Sequence, residues 1–274
     1  MTYDNNLDFR DRDIEPMLSN EQLDPFGVVL HSDHQDQNVS AIPISFLKDQ
    51  IDEHRVVVMR GFAPLETDAF PEFCKQFGSI QEWDFGAVNN LRVKAGARNY
   101  LYTNHDVPFH WDGAFVSRAP HYIIFHCDVA PPAGNGGETL FCDTSRLLAN
   151  ASAEVRELWE RIVITYTTEK IVHYGGTFTS PILVQHPFNF GYVLRYAEPV
   201  EDLNPVELLI EGLGGMDQHA FIEDMRQRLN DQHCCYSHSW ATGDLVIADN
   251  YTLLHGRRAF APGVQRHIRR VNVI

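Results

Sequence analysis

His110 and Asp112, in the run Pro-Phe-His-Trp-Asp-Gly, and His255, in Leu-Leu-His-Gly-Arg-Arg, are the residues of this chain best suited to chemistry. Two imidazoles and one carboxylate form the set that holds one face of an octahedral ferrous ion and leaves three positions open. An open face admits a co-substrate and O2 together, which is what an oxygenase requires. His110 and Asp112 are two apart, so on an extended strand they point to the same side. His255 lies far along the chain and must be returned by the fold. A short way beyond it stands Arg266, in Arg-His-Ile-Arg-Arg. A guanidinium there would form a fork that grips a dicarboxylic acid. Taken alone, His-x-Asp says little in a chain with 14 histidines, because a single strand histidine is more often packed or solvated than a ligand. The weight comes from the whole set, which includes a glycine-rich turn, Gly136-Gly137, leading into the stretch Glu138-Thr139-Leu140-Phe141.

The elements that must position these residues are mostly strands. Short β-prone runs bounded by Gly, Pro or Asn occur at Val56–Arg60, Tyr122–Cys127, Glu138–Phe141, Ile162–Thr167, Tyr192–Tyr196, Asp244–Ala248 and Ile268–Ile274. Helical spacing is confined to Ile44–Glu53, a segment from a Thr67 cap to Phe77 with Gly78 as its C-cap, Ala153–Arg161, and a segment after Asp217 with Phe221, Met225 and Leu229 on one face. Residues 1–25 are polar and acidic and read as a loosely held arm. No repeat or linker divides the remainder, so 26–274 reads as one domain. Many short strands and few helices predict a mainly β fold with flanking helices, a double-layered β-sandwich of jelly-roll type. The interior of such a barrel can carry a metal, and its mouth a small ligand.

Composition bounds the function. A length of 274 residues with 44% hydrophobic and 22% charged content predicts a well-cored globular protein. The net charge of −15 argues against nucleic acid or an anionic membrane surface as partner. It does not forbid a small anionic substrate held by buried arginines. The five cysteines are irregularly spaced. Cys234-Cys235 with His238 has no second ligand pair at zinc-finger spacing, so reduced, partly buried thiols are expected. The N-terminus lacks the basic and apolar regions of a signal peptide, and no apolar run reaches membrane-span length. A soluble cytoplasmic protein is therefore expected, a compartment that keeps ferrous iron reduced.

His110-x-Asp112, Gly136-Gly137-x-Thr139, His255 and Arg266-x-x-x-Arg270 together resemble the Fe(II)/2-oxoglutarate-dependent dioxygenases of the TauD/TfdA superfamily, from about Val56 to the C-terminus. Within it, Val-Pro-Phe-His-Trp-Asp-Gly (107–113), Phe-His-Cys (125–127), Leu-Val-Ile-Ala-Asp-Asn-Tyr-Thr-Leu-Leu-His-Gly-Arg (245–257) and Arg-His-Ile-Arg-Arg-Val (266–271) are most similar to the isonitrile-biosynthesis oxygenases of the PvcB/IsnB type. The resemblance implies iron on His110, Asp112 and His255. It implies that 2-oxoglutarate is held through its distal carboxylate by Arg266, with the Thr139 hydroxyl beside it, and that O2 is consumed. It implies that Arg270 meets an acidic group of the substrate. For the isonitrile relatives that substrate is an aromatic 2-isocyano acid derived from tyrosine or tryptophan and made by an isonitrile synthase. The product is a vinyl isonitrile, formed by benzylic C–H abstraction and loss of the carboxylate.

Strand alternation places Arg266, Ile268 and Arg270 on one face and Arg269 on the other, so an ordinary surface ion pair suits Arg269 better than Arg270. Tyr102, Asn104 and Phe109 lead into the first ligands and are expected to border the substrate; strand packing and turn formation explain them equally well. Gly175-Gly176-Thr-Phe-Thr reads either as a mobile loop near the entrance or as a surface hairpin. Three alternatives stand beside the olefin-forming reading. One is a hydroxylase of the same superfamily acting on another small acid; another is a jelly-roll binding protein without catalysis. The third is a zinc hydrolase, although the open-face His/Asp/His set with a trailing Arg fits 2-oxoglutarate better.

Overall fold

The computed structural model describes residues 18–274 except 33, 35, 36, 84, 85, 117, 172, 173, 189 and 190. In chain order the elements are β1 (Leu18–Gln22), β2 (Val28–Ser32), α1 (Ile44–His54), β3 (Val56–Arg60), α2 (Ala69–Lys75), β4 (Asn89–Leu91), β5 (Val107–His110), β6 (Tyr122–Val129) and β7 (Thr139–Asp143). There follow α3 (Thr144–Asn150), α4 (Ala153–Arg161), β8 (Val163–Ile171), β9 (Tyr174–Pro181), β10 (Leu183–Gln185), β11 (Tyr192–Leu194) and β12 (Glu207–Glu211). The chain closes with α5 (Gln218–Leu229), β13 (Cys235–His238), β14 (Leu245–Asp249), β15 (Leu253–Arg257) and β16 (His267–Val273). The structure is strand-rich with few helices, and none of the described helices is long and apolar enough to cross a membrane.

Seven strands in the order β1-β2-β3-β14-β6-β16-β4 form the larger sheet, and β13-β7-β15-β5 form a smaller one. Alternation along each strand sorts the core into three layers. Between the sheets, Phe125 of β6, Val246 of β14 and Ile268 of β16 pack with Phe141, Tyr236 and Leu253 of the smaller sheet. On the far side of the larger sheet, Ile124, Ile247 and Val271 meet Leu47 and Ile51 of α1 and Phe70 and Phe73 of α2. The outer face of the smaller sheet presents Phe109, Leu140, Cys142 and Leu254 to Trp159 of α4 and to Phe221, Met225 and Leu229 of α5. The helices form where apolar residues recur at helical spacing behind a cap. Asp217 accepts the Ala220 N–H at 3.1 Å at the start of α5, and Ser152 accepts the Val155 N–H at 3.4 Å at the start of α4.

Several expectations are corrected. Leu18–Gln22, read as part of a loose arm, is an edge strand paired antiparallel with β2; residues 1–17 lie outside the described residues. The helix expected from Thr67 to Phe77 is shorter, and Asp68 stands at its N-cap. Gly78 is not a left-handed cap. A Cβ there would stand 2.6 Å from the carbonyl oxygen of Ile274, so glycine is needed for the close approach of the chain end. Of the two readings of Gly175–Thr179, the free loop is corrected and the hairpin holds: the run lies in β9, paired antiparallel with the preceding strand β8.

Candidate metal centre and active site

The two halves of the ligand set are brought together by cross-strand pairing. β15 lies between β7 and β5, and His255 stands directly opposite His110 in the register. Their ring centroids are 4.3 Å apart. β5 ends at His110, so Asp112 is not on the strand that was expected to carry both ligands. It lies in the turn that follows, and buried Asn250 replaces strand geometry as its anchor. The Asp112 N–H donates to Asn250 Oδ1 at 3.0 Å, while Asn250 Nδ2 donates to the Asp112 carbonyl at 2.7 Å and to the Pro120 carbonyl at 2.8 Å.

The result is a convergent donor set. Asp112 Oδ1 lies 3.6 Å from His110 Nε2 and 3.9 Å from His255 Nε2. Among the described residues this is the one group of His, Cys, Asp and Glu side chains close enough to hold a metal ion, with ligand atoms all within 4.8 Å. The donor chemistry fits ferrous iron. His110 Nδ1 is 2.9 Å from the Pro108 carbonyl, which assigns the proton to Nδ1 and leaves the Nε2 lone pair for the metal. His255 Nε2 is buried with no hydrogen-bond partner, an arrangement that a metal resolves.

Electrostatics set both protonation states. Burial lowers the pKa of both imidazoles, and for His255 the neighbouring His110 lowers it further, well below the usual histidine range. Burial alone would raise the Asp112 carboxyl. Arg270, with His255, His110 and Asn272, outweighs it and holds the group at about 2. Arg270 Nη1 lies 3.1 Å from Asp112 Oδ2, and Asn272 Nδ2 donates to the same oxygen at 2.9 Å. Asp112 therefore turns Oδ1 toward the two imidazoles, where it could join them on a metal, while Oδ2 is held from behind.

The triad opens on a cavity of about 360 Å³ walled by Tyr100, Tyr102, Trp111, Phe115, Tyr166 and Arg270. Arg266 is held against the start of β7. Its Nε donates to the Gly137 carbonyl at 2.9 Å and its Nη2 approaches Thr139 Oγ1 at 3.4 Å. Among the described residues no carboxylate pairs with it. Burial and the nearby Arg257 cation pull its guanidinium down to about 9, which still leaves it charged at neutral pH. Gly137, at φ +86°, is what permits the approach: a Cβ would stand 3.1 Å from Arg266 Cδ.

The family model for the taurine catabolism dioxygenase TauD, TfdA family matches residues 19–272. The chain belongs to the TauD/TfdA family. It is 41% identical over 261 residues to the 3-((Z)-2-isocyanoethenyl)-1H-indole synthase of Fischerella ambigua, covering 94% of this chain and 96% of that one. It is 34% identical over 267 residues to the tyrosine isonitrile desaturase of Pseudomonas aeruginosa, covering 95% and 91%. Its fold matches that of PvcB, an Fe, α-ketoglutarate-dependent oxygenase from an isonitrile synthetic pathway, with a TM-score of 0.77 and 32% identity over 93% of this chain and 90% of that one.

Within this TauD/TfdA site the other sequence candidates divide. Arg270 and Tyr102 line the cavity. Tyr102 is anchored by its hydroxyl, which donates to Asn89 Oδ1 at 3.0 Å. Phe109 is a correction. It alternates with His110, so its ring faces outward into the core under α4 and α5, and it reaches the cavity wall only through its backbone N–H, which donates to the cavity residue Glu198 at 2.9 Å. Asn104 is a second correction: its amide donates to the Phe260 carbonyl at 2.9 Å, and it lines a separate cleft of about 540 Å³ next to Arg266. Arg269 faces away from the cavity, as alternation predicted, but its ion pair is buried rather than superficial. It bonds Asp128 at 2.8–3.0 Å and the Leu65 and Glu66 carbonyls. Sequence reasoning missed Asn250, Asn272, Tyr100 and Arg257. Asn272 was recoverable, since it shares a strand face with Arg270. Arg257, which donates to the carbonyls of Leu101, Thr103 and His105 and so holds the cavity-side loop, carried no signal.

Proposed function

We propose that this protein is an Fe(II)/2-oxoglutarate-dependent oxygenase that converts an aromatic 2-isocyano acid, made by an isonitrile synthase from tyrosine or tryptophan, into a vinyl isonitrile. The observation that carries the reading is the placement of Arg270 between the Asp112 carboxylate and an aromatic-walled cavity. An acid with an aryl group matches that combination of one cation and several rings. The alternating strand order of the two sheets supports a double-stranded β-helix as the scaffold, and 26–274 is read as one such domain. A cytoplasmic location suits a centre that must stay ferrous.

His110, Asp112 and His255 would hold the iron. Arg266 and Thr139 would hold the distal carboxylate of 2-oxoglutarate. Arg270 has five N–H donors and spends only part of them on Asp112, so it can also take the substrate carboxylate. The rings of Trp111, Phe115 and Tyr166 would seat the aryl group and keep water from the reacting carbon. When bound, the iron, 2-oxoglutarate and O2 supply the oxidising power for C–H cleavage and yield succinate and CO2. Loss of a hydrogen atom from the benzylic carbon, and then of a second electron stabilised by the aryl ring, leaves a cation. Departure of the adjacent carboxylate as CO2 places the C–C bonding pair in the new double bond. The overall balance is one isocyano acid, one 2-oxoglutarate and one O2 giving vinyl isonitrile, succinate, two CO2 and water.

The test is mass spectrometry of products from the tyrosine- and tryptophan-derived isocyano acids, with His255→Ala as the metal control. A product 46 mass units lighter than the acid, corresponding to loss of CO2 and two hydrogens, is expected from the atom balance above. A hydroxylated product that keeps its carboxylate would overturn the olefin-forming reading and leave a TauD-like hydroxylase. A His255→Ala protein that bound Fe(II) as the parent does and turned over would overturn the ligand assignment.

A further inference from the structure

We propose that Trp240 is a positioning residue for the co-substrate: its indole N–H turns the Thr139 hydroxyl so that the hydroxyl proton faces the carboxylate bound at Arg266. This rests on the 2-oxoglutarate reading above. Trp240 lies just after β13, is buried, and donates from Nε1 to Thr139 Oγ1 at 3.1 Å. Arg266 Nη2 approaches the same oxygen at 3.4 Å. A threonine hydroxyl has two acceptor lone pairs and one proton. Both lone pairs here face donors, so the O–H bond is excluded from those two directions. Among the described residues no acceptor takes that proton. It is left to an acceptor lying against the Arg266 guanidinium, and a carboxylate is the acceptor that a buried, unpaired guanidinium selects. With apolar packing alone at position 240, the hydroxyl could rotate and spend its proton elsewhere.

The indole is held to this task from behind. Asp244, almost fully buried, accepts Arg60 Nε at 2.8 Å on Oδ1 and Arg60 Nη2 at 2.6 Å on Oδ2. Its Oδ2 also accepts the Ala241 N–H at 2.9 Å and lies 3.2 Å from His238 Nε2. His238 Nδ1 is in turn 2.9 Å from the Tyr236 hydroxyl. These contacts close the turn between β13 and β14 on both sides of Trp240. The ring of His238 then meets the indole edge to face, with centroids 4.5 Å apart at 89°. Arg266 Cζ stands over the indole, 6.0 Å from its centroid, so the ring that bonds Thr139 also neighbours the guanidinium. Because β13 pairs with β7 in the register His238↔Thr139, the turn cannot shift without moving Thr139.

The test separates this role from mere core packing. Trp240→Phe keeps a ring and removes the N–H. Calorimetry on Mn(II)-loaded protein without O2 should show 2-oxoglutarate affinity falling about five- to tenfold, the scale of one net hydrogen bond. Affinity for 2-oxovalerate, a 2-oxo acid without the distal carboxylate, should not move. In a Thr139→Val background the same substitution should cost nothing further, because the effect passes through Thr139. An unchanged 2-oxoglutarate affinity, an equal loss for both ligands, or full additivity with Thr139→Val would overturn the proposal. Should Trp240→Phe fail to fold, the parent protein still decides the matter. It has four tryptophans, so its indole N–H resonances can be followed on the Zn(II) form. The Trp240 signal should shift on adding 2-oxoglutarate and stay still on adding 2-oxovalerate; any other pattern overturns the inference. A parent protein that bound no 2-oxoglutarate at all would overturn the proposed function itself, a result distinct from parent binding that Trp240→Phe leaves intact.

Discussion

Asp112 shows how one side chain is divided between two duties. Oδ1 faces the imidazoles, and Oδ2 is shared by Arg270 and Asn272. Arg270 is thus both the counter-ion of Asp112 and, among the described residues, the one cation lining the aromatic-walled cavity. On the proposed function, Arg270→Leu should remove the anchor of the substrate carboxylate and let the reacting carbon shift. Misplacement of about 1 Å can cost roughly a hundredfold in rate. Succinate formation should therefore continue while vinyl product falls, and the ratio of the two is the measurement. A ratio equal to that of the parent would remove Arg270 from the substrate site. Arg266 makes a different case. Its Nε and Nη2 reach two separate oxygens, of Gly137 and Thr139, a fork that a lysine ammonium cannot copy. Arg266→Lys should raise the 2-oxoglutarate constant about ten- to a hundredfold, from loss of roughly 1.5–3 kcal/mol of charge-assisted bonding. The substrate constant should change far less, and parallel changes in both would count against the assignment.

At the scale of elements, β5, β15 and β7 are the frame on which the site depends. Their register sets His110 against His255, and Thr139 opposite Arg257. Alternation on β5 then makes Phe109 a structural residue. Phe109→Ala should destabilise the fold by roughly 3–5 kcal/mol, as large-to-small core changes do, and leave the substrate KM of the folded fraction unchanged. Denaturant unfolding and steady-state kinetics together check this; a raised KM at unaltered stability would return Phe109 to the cavity. Much of this frame was legible. The β-rich runs at 56–60, 122–127 and 268–274 and the helices at 153–161 and after Asp217 follow from periodicity, because both faces of each central strand are buried and each helix has a defined apolar stripe. β13 and β15 were not read out, since their short runs are mixed with histidine, serine and arginine and gain their strand character from neighbours in the smaller sheet.

At the scale of the molecule, Asp244 joins the end of β3 to the turn that carries Trp240. Burial would raise its carboxyl, but Arg60 and His238 hold it at about 2. A carboxyl depressed in the folded state contributes stability that is present above its unfolded value, near 4, and is lost as pH falls through its folded value. The stability gap between the parent and Asp244→Asn should therefore be about 2 kcal/mol at neutral pH, the equivalent of a shift approaching two pKa units. It should narrow steadily between about pH 4 and pH 2. Urea unfolding at pH 7, 4 and 3 reads it directly, and a gap independent of pH would show that Asp244 contributes by shape alone.

The candidate ligand types, the opposite facing of Arg269 and Arg270, and the strand-rich class were all legible in the sequence alone, because each depends on residue chemistry and on the two-residue period of a strand. Arg266 lies just before β16, beyond a register shift that the period does not carry. Tertiary structure decided the rest. It placed Asp112 in a turn clamped by Asn250 from the distant β14–β15 connection. It turned Phe109 into the core and Asn104 toward a second cleft, and it set Trp240 against Thr139. These contacts join residues up to 156 positions apart. No local period encodes such separations: they follow from which strands pair and in what register, and that is settled only when the whole core packs.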